Sequence, residues 1–333
     1  MAHGQSSKNP RFEIRNYLTG SFYHDLSQDV FMGVTADQKS IPSKYFYDER
    51  GSSLYEQICK LPEYYLTRTE LSILQEKSDA IMEPFETGDL IELGSGVNWK
   101  ISKLIDAAND PQGENLRYVP VDVSESALVA ASEDLLTNYP KLRVLGIVAD
   151  FTRHMEVIPD DSAKFIIFFG STIGNLNEAE SQQFLQNVAN SMKPEDRFLI
   201  GLDMIKPKTI LGAAYNDAQG VTSAFNKNVL RVINRELHAD FDPAVFEHLA
   251  FYNDEQEQVE MHLQATQRTT VEINDLDLAV EFEKGETIHT EICRKFSEKS
   301  AQKMFSEVEL KVEQWFTDPK GWFSLVEVVR RSF

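Results

Sequence analysis

The chain has 333 residues, 42% of them hydrophobic, which is enough for one large α/β domain or two smaller ones. Acidic residues outnumber basic ones by 53 to 33, so the net charge is −20. This charge repels phosphate backbones and anionic lipid, and we expect neither nucleic acid nor a membrane as a partner. Residues 1–10 contain no apolar core and predict no secretory signal. We therefore expect a cytoplasmic protein that acts as a monomer on a small molecule.

Two features stand at the start of the chain. Residues 1–16 are mainly polar and predict a loose N-terminal arm. Residues 39–74 are rich in tyrosine and phenylalanine without a helical or strand repeat. This second stretch is compatible with an aromatic cap on a core, or with a wall of hydroxyls over a pocket, because tyrosine buries its ring while offering one hydrogen bond. The residues alone leave both interpretations open.

A glycine turn follows a short apolar run at residues 89–96, which read DLIELGSG. The run is too short for a helix and predicts a buried parallel strand. Gly94 and Gly96 let the backbone turn sharply and approach a ligand with no Cβ in the way. A helical pattern begins at Lys100. Together the strand, turn and helix predict a nucleotide-binding corner, with free helix N–H groups facing the ligand.

Strands and helices alternate from this corner to Asp203. The order predicts a doubly wound, mostly parallel α/β sheet with right-handed crossovers, in which ligands bind beyond the carboxyl ends of the strands. Gly94, Asp122, Asp150 and Asn175 all follow predicted strands. The further strands span residues 116–121, 144–148, 164–169 and 198–202, and the helices span 125–138 and 178–193.

The pattern changes after Asp203. Residues 207–250 predict helix, and the segments that follow show the two-residue period of strands. In one of them His289, Glu291 and Cys293 are expected to share a face. The predicted strands of this part span residues 259–265, 276–282, 286–293, 309–316 and 321–329, and a helix spans 297–307.

These patterns predict two domains. The last helix and strands are suited to completing the edge of the first sheet, so residues 69–204 and 294–333 are expected to form the open α/β domain. Residues 205–293 are expected to be an insertion that packs with residues 17–68 into a second, α+β domain.

The residues after the strands favour one kind of nucleoside ligand. A nicotinamide corner needs a small residue at position 99, where this chain has Trp99. Asp122 can accept hydrogen bonds from both ribose hydroxyls, while Asp150 and Phe151 offer an acceptor and an aromatic face to an adenine. This set resembles S-adenosylmethionine binding in the Rossmann-like class I methyltransferases; the competing interpretation is that both acids only cap helices. We expect no metal, because no histidine pair or His–carboxylate spacing recurs.

The resemblance becomes more specific in four stretches, which read YFYDERGSSLYEQICKLPEYYLTRTE, ELGSG followed by Lys100, FFGSTIGN, and AYNDAQGVTSAFNKNVLRVINREL. Together with VEMHL and TEICRKF they resemble the histidine-specific Nα-methyltransferases of ergothioneine biosynthesis, from about residue 40 to the C-terminus. The resemblance implies that S-adenosylmethionine trimethylates the α-amino nitrogen of L-histidine, giving hercynine. It also implies that the second domain binds the amino acid.

The resemblance further implies roles for individual residues. Asn175 would hold the substrate amine beside the methyl sulfonium, and Tyr47 and Tyr215 would bind the substrate carboxylate, which makes Asn175 and Tyr47 the candidate catalytic residues. Tyr64 would help to enclose the amino acid. The implied cofactor contacts come from Gly94, Lys100, Asp122, Asp150 and Phe151.

The same resemblance assigns the imidazole ring to Glu291 and Cys293, with Met261 against it. One departure matters, since the family usually has serine at the position of Cys293, and a thiol is a weaker and bulkier hydrogen-bond partner than a hydroxyl. Two alternatives therefore stay open. One is the same reaction on another aromatic amino acid, such as tryptophan. The other is a non-catalytic module that senses S-adenosylmethionine.

Overall fold

A computed structural model describes residues 3–6, 10–18, 21–96, 98–108 and 114–331, with the backbone alone for residues 3–6, 21 and 22. The chain divides into two compact units. The first unit comprises Met1–Thr19, Leu66–Ile205 and Phe296–Phe333. The second comprises Gly20–Tyr65 and Lys206–Lys295. Among the described residues, no helix is both long enough and apolar enough to cross a membrane.

Strands and helices are numbered here in chain order. The strands are β1 (His3–Ser6), β2 (Phe12–Asn16), β3 (Gly88–Leu93), β4 (Leu116–Asp122), β5 (Arg143–Val148), β6 (Lys164–Phe168), β7 (Arg197–Asp203), β8 (Phe246–Asn253), β9 (Gln258–Ala265), β10 (Thr269–Ile273), β11 (Leu278–Phe282), β12 (Thr287–Arg294), β13 (Leu310–Thr317) and β14 (Phe323–Arg330). The α-helices are α1 (Ser21–Val34), α2 (Glu49–Ile58), α3 (Tyr65–Met82), α4 (Trp99–Ala107), α5 (Glu125–Asn138), α6 (Glu178–Ser191), α7 (Lys208–Tyr215), α8 (Val221–Asn226), α9 (Asn228–Glu236) and α10 (Glu298–Ser306).

The first unit is built on one sheet in the order β1-β2-β5-β4-β3-β6-β7-β14-β13. Strands β2 to β7 run parallel, whereas β14 lies antiparallel between β7 and β13. The strand order reverses between β3 and β6, and open α/β sheets bind their ligands beyond the strands at such a point. The doubly wound sheet predicted from the sequence is therefore confirmed.

The parallel strands are apolar on both faces, which explains why their sequences read as continuous hydrophobic runs. All six residues of β3 are buried. Leu90 contributes to the core on one face of the sheet and Ile91 to the core on the other. Each fully buried aliphatic side chain of this kind stabilises the fold by roughly 1.5–3 kcal/mol.

The prediction of a loose N-terminal arm is wrong, because part of this segment joins the sheet. Residues 12–16 form β2, which pairs in parallel with β5, and residues 3–6 pair with β2 in the opposite direction. Phe12 and Ile14 point into the core, while Glu13 between them is exposed. Strand β2 has five residues, and only two of them are buried. So short a strand contains too few apolar side chains to be told from a polar tail by its composition.

The second unit contains an antiparallel sheet in the order β12-β9-β8 and a separate hairpin of β10 and β11. Two predictions are wrong here. The span predicted as helical, 207–250, contains α7, α8 and α9 but ends in strand β8. The strand predicted at 276–282 begins only at Leu278, and β10 was not predicted. Both missed strands are largely half-buried or exposed, so their apolar periodicity is weak.

Candidate functional site

A left-handed glycine turn follows β3 in the first unit. Gly94 has φ +73°, a conformation that side chains with a Cβ rarely adopt. Its N–H donates to the Val121 carbonyl at 2.8 Å, which fixes the turn beside the end of β4. A Cβ at Gly94 would lie 3.6 Å from Cε1 of Phe151. The fold therefore brings Gly94 and Phe151 together, although 57 positions separate them in the chain.

The two predicted nucleoside acids lie at the carboxyl ends of neighbouring strands, Asp122 as the last residue of β4 and Asp150 two residues after β5. Oδ1 of Asp122 accepts from the Ser124 N–H at 2.9 Å, and burial raises the pKa of Asp122 to about 6. Oδ1 of Asp150 accepts from the N–H of Thr152 at 3.0 Å and from its hydroxyl at 2.6 Å. The helix cap of α5 is the Ser124 hydroxyl, not Asp122. Asp122 is thus not the side chain that caps the helix after β4.

Lys100 is a predicted cofactor residue, and the structure gives its ammonium a partner. Nζ of Lys100 lies 2.6 Å from a carboxylate oxygen of Glu70 and 5.5 Å from the centre of the Phe169 ring. Glu70 is fully buried and accepts from the Gly170 N–H at 2.9 Å. The pair links α3 and α4 to the turn after β6. Breaking a buried pair of this kind costs about 3–5 kcal/mol.

Glu70 was not singled out from the sequence, although a signal exists. On α3 the acid lies four residues after Leu66 and three and four before Ile73 and Leu74, all of them buried. An acid on the apolar face of a helix indicates a buried partner, because an unpaired buried charge is too costly.

Asn175 ends a 3₁₀ helix, Thr172–Asn175, that follows β6. The turn before it places Ser171 at φ 57°, and the Ser171 hydroxyl accepts from the Asp203 N–H at 2.8 Å. Ile173 is fully buried and anchors the turn in the core. The Asn175 backbone is therefore held at the carboxyl end of β6, the strand next to β3.

A cluster of aromatic rings occupies the second unit. The centre of the Tyr47 ring lies 5.7 Å from that of Tyr55 and 5.4 Å from that of Phe225, both edge to face. Tyr64 lies 6.5 Å from Tyr55 and 6.3 Å from Tyr215, again edge to face. Such pairs add about 0.5–1.5 kcal/mol to the burial of each ring. Three of the residues predicted to bind the substrate amino acid, Tyr47, Tyr64 and Tyr215, therefore belong to one aromatic cluster.

A β-bulge in β12 decides which side chains share a face. Glu291 pairs with Met261 and Cys293 with Val259, while His289 pairs with His262, and the register shifts between His289 and Glu291. Because neighbouring residues of β9 point to opposite faces, Glu291 and Cys293 lie on the Met261 face. The predicted alignment of His289 with Glu291 is wrong, since the extra residue of the bulge turns His289 to the other face.

Glu291, which is partly buried, and Cys293, which is buried, form a polar pair. The Cys293 thiol donates to Oε2 of Glu291 at 3.4 Å. Burial raises the pKa of Glu291 to about 7, although the thiol and the charge of Lys295 act in the opposite direction. Burial and the Glu291 carboxylate raise the pKa of the Cys293 thiol, so it stays protonated. The pair thus offers a carboxylate that ionises near neutral pH.

Lys295 directly follows β12 and was not predicted from the sequence as a site residue. Its side chain is buried, and Nζ donates to the Tyr215 hydroxyl at 2.9 Å. The two-residue spacing of Glu291 and Cys293, extended by one step past the end of β12, reaches Lys295 and is the sequence signal that could have found it. Its ammonium keeps the Tyr215 hydroxyl in a fixed orientation.

The sheet order, the antiparallel strand β14, the glycine turn and the acids at the carboxyl ends of β4 and β5 define an α/β fold of the class I methyltransferase type. Residues 26–330 match the family model described as the S-adenosylmethionine-dependent, histidine-specific methyltransferases. The chain belongs to this family and is an S-adenosylmethionine-dependent methyltransferase.

Similar proteins agree with this assignment. Histidine N-alpha-methyltransferase of Mycolicibacterium smegmatis is 42% identical over 318 residues, which cover 95% of this chain and 99% of that protein. Histidine N-alpha-methyltransferase of Mycobacterium tuberculosis is 40% identical and covers 95% of this chain and 98% of that protein. Ergothioneine biosynthesis protein 1 of Schizosaccharomyces pombe is 30% identical, covering 69% of this chain and 31% of that protein.

Proposed function

We propose that this protein transfers three methyl groups from S-adenosylmethionine to the α-amino nitrogen of L-histidine, giving hercynine for ergothioneine biosynthesis. The observation that carries the proposal is the partly buried carboxylate of Glu291, which lies on the same face of the sheet as Met261. A carboxylate acceptor suits a ring with an N–H donor, and an apolar ring would leave it unpaired.

The first unit contains residues that fit S-adenosylmethionine. The left-handed turn at Gly94 leaves backbone close to Phe151 and free of a Cβ, while Asp122 provides an acceptor for ribose hydroxyls. Asp150 and Phe151 suit an adenine through one acceptor and one aromatic face. Lys100, held by Glu70, places a cation near the turn after β6. When bound, S-adenosylmethionine supplies a methyl carbon attached to a positively charged sulfur.

Orientation of the amine is the main contribution we assign to the chain. The attacking nitrogen must be unprotonated and aligned opposite the sulfur, and correct alignment alone can supply several kcal/mol of the barrier reduction. Asn175, fixed by its turn after β6, would accept from the amine N–H and direct its lone pair. No side chain needs to act as a general base, because the proton can leave to water.

The second unit is assigned to the amino acid. The hydroxyls of Tyr47 and Tyr215 would donate to the substrate carboxylate, and Lys295 orients the Tyr215 hydroxyl. Tyr64 would enclose the amino acid, while Glu291 and Cys293 would hold the imidazole with Met261 against it. A trimethylated product carries a permanent positive charge, which the faces of tyrosine rings accommodate well.

Calorimetry with the demethylated cofactor present tests this proposal. Histidine should bind in a single event, while tryptophan and tyrosine should bind much more weakly, because their rings are larger and carry their one donor at a different position from that of the imidazole N–H. Tighter binding of tryptophan than of histidine would indicate that the substrate is another aromatic amino acid. Binding of the cofactor with none of the three amino acids would identify a sensor instead of an enzyme of histidine.

A further inference from the structure

Three metal-ligating side chains meet on the face of the β8–β9–β12 sheet opposite to Glu291. Glu260, His262 and His289 each offer one ligand atom, and these atoms lie within 4.8 Å of one another. Nε2 of His262 is 3.1 Å from Oε2 of Glu260. The rings of His262 and His289 stack at 4.7 Å with an angle of 20° between their planes.

The bulge in β12 creates this grouping. Without the extra residue, His289 would follow the alternation of Glu291 and Cys293 and point to the other face. The backbone of His289 is also fixed on its second side, because its N–H donates to the Lys39 carbonyl at 2.8 Å and its carbonyl accepts from the Ile41 N–H at 2.9 Å. Bulges that redirect a side chain in this way often lie at functional sites.

The hydrogen bonding of the cluster is incomplete at two buried ring nitrogens. Within the described part of the chain, Nδ1 of His262 and Nε2 of His289 have no hydrogen-bond partner. An unpaired buried polar atom costs about 1–3 kcal/mol, so two of them in adjacent rings call for an explanation. A cation bound between Nε2 of His262 and Oε2 of Glu260 would account for the second of these nitrogens, Nε2 of His289.

The remaining atoms of the cluster are already oriented by an outer set of partners. Oε1 of Glu260 accepts from the side-chain amides of Asn253 at 2.8 Å and Gln258 at 2.9 Å. This arrangement turns Oε2 towards His262. The ring of His289 forms a hydrogen bond with the backbone of Glu291, which fixes that ring as well. Metal-binding carboxylates and histidines have outer partners of this kind.

We propose that Glu260, His262 and His289 bind a divalent transition-metal ion of the zinc type. Two imidazoles and one carboxylate form the donor set preferred by Zn²⁺, Co²⁺ and Ni²⁺, whereas Mg²⁺ and Ca²⁺ prefer oxygen donors alone. Ligands at about 2.0–2.2 Å from a tetrahedral ion lie roughly 3.4 Å apart. Nε2 of His262 and Oε2 of Glu260, 3.1 Å apart, are close to this spacing. The stacked ring of His289 must rotate slightly for its nitrogen to reach the same ion.

The experiment is a calorimetric titration of ZnCl₂ into the tag-free parent protein, with excess MgCl₂ and without histidine. Magnesium occupies scattered carboxylates of this acidic chain, and free histidine would chelate the probe. CoCl₂ then replaces ZnCl₂, so that visible absorption reports the ligand field. We expect one ion per chain with tetrahedral absorption.

Variants decide where the ion binds. His262→Gln, His289→Gln and Glu260→Gln should each weaken Zn²⁺ binding by more than the roughly 10–100-fold that loss of an outer partner costs, and Asn253→Ala should fall within that range. His289→Gln and Glu260→Gln carry the test if His262→Gln does not fold.

Two controls make the outcome decisive. His238 lies beside Asp275 with Nδ1 and Oδ1 3.0 Å apart but is not part of the cluster, so His238→Gln should bind Zn²⁺ like the parent. Cys293→Ser removes the thiol on the opposite face of β12 and should also bind Zn²⁺ unchanged. The proposal is overturned if the parent binds no Zn²⁺, if the His262 and His289 variants bind it like the parent, or if Cys293→Ser abolishes binding.

Discussion

At the residue scale, Glu291 is the side chain whose chemistry depends most on its surroundings. Burial raises the pKa of its carboxyl to about 7, so in the free protein it is largely protonated below that pH and ionised above it. Only the ionised form is a full acceptor for an imidazole N–H. Under the proposed function, histidine affinity should therefore fall as the pH drops through about 7.

Calorimetry of histidine between pH 6 and 8, with the demethylated cofactor present, measures this dependence. The imidazole of free histidine titrates near 6.5, so the parent is compared with Glu291→Gln, which keeps the shape but cannot ionise. The pH step assigned to Glu291 should be absent from that variant and present in Cys293→Ser. An identical pH profile in the parent and Glu291→Gln would show that Glu291 does not accept a hydrogen bond from the imidazole ring.

Asp122 tests the assignment of the ribose. Replacing it by asparagine keeps an acceptor for the Ser124 N–H but removes the charge. Loss of a charge-assisted hydrogen bond should weaken S-adenosylmethionine binding by about 1.5–3 kcal/mol. Binding is measured by calorimetry and folding by thermal melting. Unchanged cofactor affinity in a folded Asp122→Asn protein would show that the ribose is held elsewhere.

Asn175 tests the positioning of the nucleophile. Asn175→Ala should reduce turnover by a factor of about 100 or more while cofactor affinity changes little, because the side chain is assigned to the amine and not to the nucleoside. Turnover and cofactor dissociation constants are measured on the same preparation. A variant that keeps most of the parent's turnover would contradict the assignment.

At the element scale, the sequence predicts best where strands are buried on both faces. The segments that form β3 to β7 are recognisable because a short apolar run occupies most of each strand, and the helices between them carry their own periodicity. Strands β8 and β10 were missed because most of their side chains are half-buried or exposed. The bulge in β12 has no sequence signature, so the orientation of His289 could not be derived from alternation.

Strand β2 provides a stability test. Ile14 lies on β2, next to β5 in the sheet, and is buried in the core, so its truncation leaves a cavity that should cost about 2–5 kcal/mol. Glu13 is exposed on the same strand, and its contact with Arg15 lies at the surface, so Glu13→Ala should change stability by at most about 0.5 kcal/mol. Urea unfolding of both variants measures the difference. Equal stability for Ile14→Ala and the parent would contradict the packing of this strand and support the loose arm predicted from composition.

At the scale of the whole molecule, the two compact units each combine segments that are distant in sequence. Assigning the cofactor to the unit built on the large sheet, and the amino acid to the unit of Gly20–Tyr65 and Lys206–Lys295, stays a prediction, as do a monomeric state and a cytoplasmic location. The motifs that identified the family are long enough to be recognised in the sequence. The pairing of Glu70 with Lys100 and of Lys295 with Tyr215 required the fold.

The central claim is that the protein methylates the α-amino nitrogen of histidine. Mass spectrometry of the products formed from an equimolar mixture of the twenty amino acids and S-adenosylmethionine tests it most directly. We predict a single methylated product, histidine carrying three methyl groups on its α-nitrogen, and its formation should be lost in Glu291→Ala. Methylation of tryptophan in place of histidine, or no methylated amino acid at all, would contradict the account.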